Sequence, residues 1–319
     1  MAEWQIEEGI GEHRAVLIGS NGCLAAKVHW PGSLTAGQVE DAVLIRKNTG
    51  ANRGLARFVS GEEASVKNLD PSTSEGRKIR LKVTRASIRE VGRNKLAQAE
   101  LTSEPLKASP SLRDRLNGRV VREIDRESWA TVFSLATEGI DYFSGGSITI
   151  TITPAMTLID VDGELPASQL ALAAVKPIAN VIAKLDLAGS IGIDFPSLAK
   201  KSDRQAVDHA LEEALSHWQH ERTRMNGFGF VQLISKLENP SLLHRVQLFP
   251  ASAEARFLLQ RAQYLKGPGP VEVSANPLVI ENIRDEWSDE FFKRYGRVLR
   301  FRPNPQIAFF GGNVQNVEV

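Results

Sequence analysis

Three aspartates near the middle of the chain have the type and spacing to do chemistry. Two short apolar runs, MTLIDV from Met156 and SIGIDF from Ser190, each close on an aspartate, Asp160 and Asp194. Asp162 follows the first of these by two residues. Between the runs lies a helical pattern, 166–185, long enough for one crossover. A strand, a helix and a second strand joined this way return in parallel. Asp160 and Asp194 should therefore emerge at the same edge of one sheet. Two carboxylates meeting there suit a hard divalent cation, which prefers oxygen ligands. The ordinary alternative is that each aspartate caps the loop after its strand.

The elements that must position these residues come from a chain of 319 residues, enough for two or three domains. Hydrophobic residues make up 42% and charged residues 24%, the balance of a globular protein rather than a disordered one. The formal net charge is only +1, so the molecule as a whole does not announce a polyanion partner. The distribution says more: residues 41–100 hold 13 Lys and Arg against 7 Asp and Glu, a net +6. One cysteine, Cys23, rules out a disulfide framework or a cysteine zinc site within one chain. The acidic opening MAEWQIEEGIGEHR does not read as a secretory leader, and no apolar run approaches a membrane span. A cytoplasmic protein without a membrane partner is expected.

Taken in order, RAVLIG and CLAAKVHW flank Ser20-Asn21-Gly22, a hairpin signal. Residues 40–101 hold five short strand-like runs separated by Gly, Asn, Ser and Asp clusters, which suits a small OB-type barrel. Arg80 and Lys82 alternate with Ile79, Leu81 and Val83 and share one face. With Arg85, Arg89, Arg93 and Lys95 they form either a phosphate-tracking surface or a solvated strand face. Phe58 is a candidate base-stacking ring or a core residue. Pro105 and Pro110 mark a linker. The segment from Asp125 through Phe143 has helical spacing, with Trp129, Val132, Phe133 and Ala136 on one face.

SITITIT and MTLIDV should pair as a hairpin. The crossover helix carries Leu172, Val175, Ile178, Ile182 and Leu185 on one side, and Pro177 should kink it. Ser202-Asp203-Arg204-Gln205 reads as a capping box opening the next helix. His217 and His220 at its end could bind a metal but read more simply as partly exposed helix residues. GFGFVQLIS from Gly227 is a strand. The tail holds a helix from Ser252, then VEVSA, PLVIENI, WSDEFFKRY, and the strand-like VLRF and IAFF, a small α/β unit.

These residues together resemble the ribonuclease E/G family, single-strand-specific endoribonucleases of RNA processing and decay. Gly145-Gly146-Ser147-Ile148, Ile159-Asp160-Val161-Asp162, Leu187-Ala188-Gly189 through Ile193-Asp194-Phe195, and Phe228-Gly229 stand where the family has its corresponding motifs. The resemblance implies a mixed α+β, multi-domain fold. An OB-type β-barrel (36–101) would be inserted into an RNase H-like and DNase I-like α/β catalytic region, begun by an N-terminal hairpin (1–35). A helical connector (102–143), the catalytic α/β region (144–250) and a small C-terminal α/β domain (251–319) would follow.

The resemblance further implies that Asp160 and Asp194 hold Mg²⁺, with Mn²⁺ as a possible substitute, and that Asp162 joins them in catalysis by orienting water. Single-stranded RNA would be cut to 5′-phosphate and 3′-hydroxyl ends. Phe58 and Lys95 fall on family RNA-contacting positions, and Val66 replaces a second family phenylalanine. Three departures matter. The family's asparagine is Asp162 here. No counterpart of its 5′-monophosphate pocket is found in the short connector. The cysteines of its zinc link are missing, so a monomer or metal-free homodimer without structural zinc is expected. The competing reading is a non-catalytic RNA-binding relative.

Overall fold

The computed structural model describes residues 2–20, 22–48 and 52–317. The acidic opening is itself a strand. β1 (Glu3–Glu8) pairs antiparallel with β2 (His13–Gly19), which pairs with β3 (Gly22–His29). Asn21 of the expected hairpin turn lies outside the described residues, as do Thr49 and Gly50 of a later loop. Glu7 points inward because Arg14, wholly buried, ion-pairs with both Glu7 and Glu12. A buried cation is tolerable only with partners of this kind.

The basic stretch forms a closed five-stranded barrel. Its strands are β4 (Val39–Lys47), β5 (Arg53–Arg57), β6 (Glu63–Lys67), β7 (Lys78–Arg85) and β10 (Ala97–Leu101), in the order β10-β6-β5-β4-β7. A small hairpin, β8 (Ile88–Glu90) with β9 (Arg93–Lys95), interrupts the last connection. Alternation drives closure: Ile79, Leu81 and Val83 point in, with Leu44, Val66 and Ala99 facing them.

The connector is not purely helical. α1 (Leu112–Arg115) is held by a capping box between Ser111 and Asp114. β11 (Gly118–Val120) then joins β1 in parallel, extending the first sheet to β11-β1-β2-β3. α2 (Arg126–Glu138) starts on Asp125 and stops at Gly139, whose left-handed backbone (φ 69°) ends the helix. The expected helical spacing therefore breaks after Glu138, and Ile140–Phe143 becomes strand β12.

A six-stranded sheet, β12-β13-β14-β15-β17-β16, forms the centre. β13 (Gly146–Ile152) and β14 (Thr157–Gly163) make the expected hairpin. α3 (Ala167–Lys184) crosses over to β15 (Ser190–Asp194), which runs parallel to β14. It buries Leu170, Ala171, Ala174, Val175, Ile178, Val181 and Ile182, and stays helical through Pro177. Leu172 is exposed, one position off the buried stripe.

α4 (Lys201–Ala214) begins one residue before Ser202. Lys200 is its N-cap and makes no side-chain capping bond, so the expected box does not form. The Ser202 hydroxyl bonds Asp203 instead, and the Arg204 guanidinium donates to the Leu198 and Ala199 carbonyls. β16 (Glu221–Arg222) and β17 (Phe230–Ile234) complete the sheet.

Beyond it, α5 (Leu242–Leu248) and α6 (Pro250–Tyr264) lead to β18 (Val271–Ala275), α7 (Pro277–Glu281), α8 (Asp285–Tyr295), β19 (Leu299–Pro303) and β20 (Asn313–Asn316). These three strands form the sheet β19-β18-β20. The expected IAFF strand is a turn. Buried Glu254 accepts backbone N–H bonds from Phe310 and Gly312 and pulls the chain into a loop, and the edge strand forms after it. Ile10, from the start of the chain, lies in the same core as Phe291 and Trp287. Among the described residues no helix is long and apolar enough to cross a membrane.

Candidate active site

The register of the central sheet places the carboxylates. Asp160 on β14 lies directly beside Asp194 on β15 in a parallel pair, so the two side chains project from one face. Asp162, two residues along β14, shares that face. Thr157, Ile159 and Val161 alternate onto the opposite, buried side. The period-2 pattern and the crossover thus bring three acids together from residues up to 34 apart. β14 runs on to Gly163, so Asp160 sits within the strand and not at its end.

The electrostatics follow from that crowding. Burial raises the Asp160 carboxyl above its ordinary range, and the charges of Asp162 and then Asp194 raise it further. Among the described residues no lysine, arginine or histidine forms an ion pair with any of the three. Adjacent carboxylates without a cation are the donor set a hard divalent ion fits. No set of three or more His, Cys, Asp or Glu side chains forms a metal cage among the described residues. The protein can therefore offer Asp160 and Asp194 as a pair, leaving the other positions around an ion to water and substrate oxygens.

The neighbours on that face are hydroxyls and rings. Thr149 on β13 opposes Asp160, and Ser147 opposes Asp162. Tyr142 on β12 opposes Ser147 and is 76% exposed. On the other side Phe230 opposes Asp194. Gly192 has no side chain to block it: a Cβ there would stand 2.6 Å from the Phe230 ring and 2.7 Å from the Met156 sulfur. Phe228, 82% exposed, sits on the turn entering β17. The Asn226 carboxamide oxygen accepts from the Phe228 and Phe230 amides and fixes that turn. Gly229 is required between them, since its φ is +93° and a Cβ would meet the Phe195 carbonyl at 2.2 Å. Tyr142 was hidden in the sequence because its segment carried helical spacing. The Asp160–Asp194 frame and the strand pairing outward from it locate it.

The barrel residues fare differently. Phe58 is 3% exposed and packs in the barrel core, so it presents no stacking face; this corrects its reading as an RNA contact. An inward register position beside Ala56 buries it. Arg80 and Lys82 do share the outer face, but each is paired, Arg80 with Asp41 at 2.9 Å and Lys82 with Glu104 at 2.6 Å. Arg93 and Lys95 both close on Glu90, whose carboxyl stays low against the cost of burial because of them. Arg85 donates to the Leu96 carbonyl, and burial lowers its pKa. Arg89 lies 5.2 Å over the Phe249 ring. These six cations lie on the barrel and its β8–β9 hairpin, with much of their charge answered internally.

His217 and His220 do not converge on a metal: His220 stacks on Trp218 and its Nδ1 meets the Trp218 carbonyl at 2.7 Å. Asp208 is structural, bonded to Arg222 and to the Met225 amide.

Residues 129–236 match the family model of the ribonuclease E/G family, described by that name. In this stretch, about a third of the chain, the protein is similar to that family. The stretch runs from α2 through β17 and contains Asp160, Asp162, Asp194 and Phe228. No curated protein matches the chain. The match points to ribonuclease activity in RNA processing. The carboxylate face lies within the matched stretch.

Proposed function

We propose that the chain is a divalent-metal-dependent endoribonuclease that hydrolyses single-stranded RNA to 5′-phosphate and 3′-hydroxyl ends. The observation that carries this reading is the Asp160–Asp194 register pair, without an ion-paired cation among the described residues and lying within the family-matched stretch. Asp160 and Asp194 would hold Mg²⁺, or Mn²⁺ in its place. A bound ion of this kind neutralises charge on phosphate oxygens and lowers the pKa of a water. Asp162 is close enough to hydrogen-bond Asp160 when one of them is protonated. It can accept a proton from an attacking water and orient it. Thr149 and Ser147 supply neutral donors to a phosphate drawn onto the face. Exposed Tyr142 and Phe228 can stack unpaired bases on either side, which duplex RNA would not offer.

In this reading the barrel, of OB type and inserted in an RNase H-like region, guides RNA electrostatically through Arg80, Lys82, Arg85, Arg89, Arg93 and Lys95. The domain limits are those set out from the sequence. A cytoplasmic monomer or metal-free homodimer fits the single Cys23, which is half-buried and bonded to the Ala25 carbonyl.

A second reading is a non-catalytic RNA-binding protein, favoured by one observation: Asp162 stands where the resemblance expects an asparagine. End-labelled single-stranded RNA, incubated with Mg²⁺ or EDTA, separates the two. The enzyme reading expects Mg²⁺-dependent fragments that vanish in Asp194→Asn. Cutting that persists in EDTA or in that variant sinks it, and binding without cutting selects the second reading.

A further inference from the structure

Where β3, the barrel, α5 and α6 meet, a cavity of about 290 Å³ is lined by Arg245, Arg256 and Arg284. Arg245 and Arg256 are each more than nine-tenths buried, yet neither has an ion-pair partner among the described residues. The Arg245 guanidinium donates no hydrogen bond among those residues, and its Nε is buried without an acceptor. It lies 4.9 Å from the Trp30 ring, and Arg256 lies against the same ring at 3.9 Å. Arg256 donates only to the Gly11 and Ser252 carbonyls.

Glu12 is the negative charge that most favours both, but its oxygens are taken by Arg14 at 2.6 Å and by the Trp30 indole at 2.6 Å. Glu62, the one carboxylate in the cavity wall, accepts from the Leu34 amide, and its carboxyl is raised by burial with no arginine lowering it. Burial lowers both arginines to about 10. Two buried cations without counter-charge are costly unless an anion joins them. Guanidinium groups match phosphoryl oxygens in shape and in hydrogen-bond number. Ser87 and Asn239 in the wall add neutral groups.

We propose that this cavity binds a phosphoryl anion, held by Arg245 and Arg256 with Arg284 at its rim. The inference does not rest on hydrolysis and concerns residues outside the carboxylate face. The anion is either a phosphate carried by RNA or free inorganic phosphate.

The test is calorimetric titration of the full chain with inorganic phosphate in EDTA, at constant ionic strength set with chloride. Wild type should bind, and Arg245→Gln should bind at least about tenfold more weakly, the loss of one charge-assisted contact set. Competition then names the source. A short single-stranded RNA with a 5′-phosphate that displaces phosphate, while its 5′-hydroxyl twin does not, assigns an RNA end. Displacement by both assigns a backbone phosphate. Displacement by neither assigns free phosphate. Arg284→Gln, at a side chain that is 55% exposed, repeats the measurement should Arg245→Gln fail to fold. Wild type that takes up no phosphate, or variants that bind it as wild type does, overturn the proposal.

Discussion

Asp194→Asn should make the metal-free protein more stable and the metal-loaded protein relatively less so. Asp160 and Asp194 are lateral neighbours in register. Side chains so placed put their charges about 5 Å apart. At that separation two like charges repel by about 0.8 kcal/mol in water and about 3 kcal/mol at a protein-surface dielectric near 20. Asp194 is exposed, so the low end applies, and its neutralisation should stabilise the metal-free fold by about 1 kcal/mol. In a chain of this size that is a rise of roughly 2 °C in Tm. Mg²⁺ at about ten times its Kd should stabilise wild type by about 1.4 kcal/mol, from the binding linkage alone. The variant, with one ligand gone, should gain little. Melting followed by tryptophan fluorescence near neutral pH, in EDTA and then in Mg²⁺, should show the order of the two proteins reversing. A variant that melts below wild type in EDTA, or that gains as much from Mg²⁺, would refute the paired-carboxylate account.

Asp160 binds its proton more tightly in the folded chain than in the unfolded one, because burial and the two other acids raise its pKa. Its contribution therefore favours the fold at low pH and is lost as pH rises through the raised value; Asp160→Asn should flatten that fall in urea titrations. The same proton competes with metal, so protection by Mg²⁺ should fade as pH drops through that value. Arg14→Met leaves Glu7 and Glu12 buried without their cation and should cost about 3–5 kcal/mol by urea unfolding. Phe58→Ala should cost about 3–5 kcal/mol of stability as a core truncation, with RNA affinity unchanged in the folded fraction. Tyr142→Ala and Phe228→Ala should each weaken single-stranded RNA binding about tenfold at unchanged Tm, the scale of one lost base stack, read by fluorescence anisotropy in EDTA.

Periodicity makes the shared sheet edge of Asp160 and Asp194 legible in the sequence. A crossover between two buried runs has few ways to pack, and the parallel direction follows from it. The barrel was legible for the same reason, since alternating Ile79, Leu81 and Val83 leave only one face free. Boundaries failed where a polar side chain overrode the local pattern. Glu254 turns the apolar Ile307–Phe310 run into a loop by accepting two backbone amides, a contact made across more than 50 residues. The burial of Glu7 and Glu12 likewise depends on Arg14, a pairing that composition and periodicity do not announce.

The same blindness governs the site. Composition counts charges but not their answers. The basic surplus of residues 41–100 looked like free charge, yet Asp41, Glu104 and Glu90 meet Arg80, Lys82, Arg93 and Lys95 across strand pairings and hairpin turns. Conversely, Arg245 and Arg256 drew no notice, since isolated arginines in helical segments usually face water. Their meaning appears only when burial is known, because a guanidinium that is enclosed and unpaired is a demand for an anion. Phe58 is buried and Tyr142 exposed for a related reason: which ring meets solvent depends on strand register, which shifts a side chain to the opposite face with each residue. The electrostatic surplus available to RNA is therefore smaller on the barrel than its sequence suggests. Under the proposed function, the work of holding single strands then falls to exposed Tyr142 and Phe228.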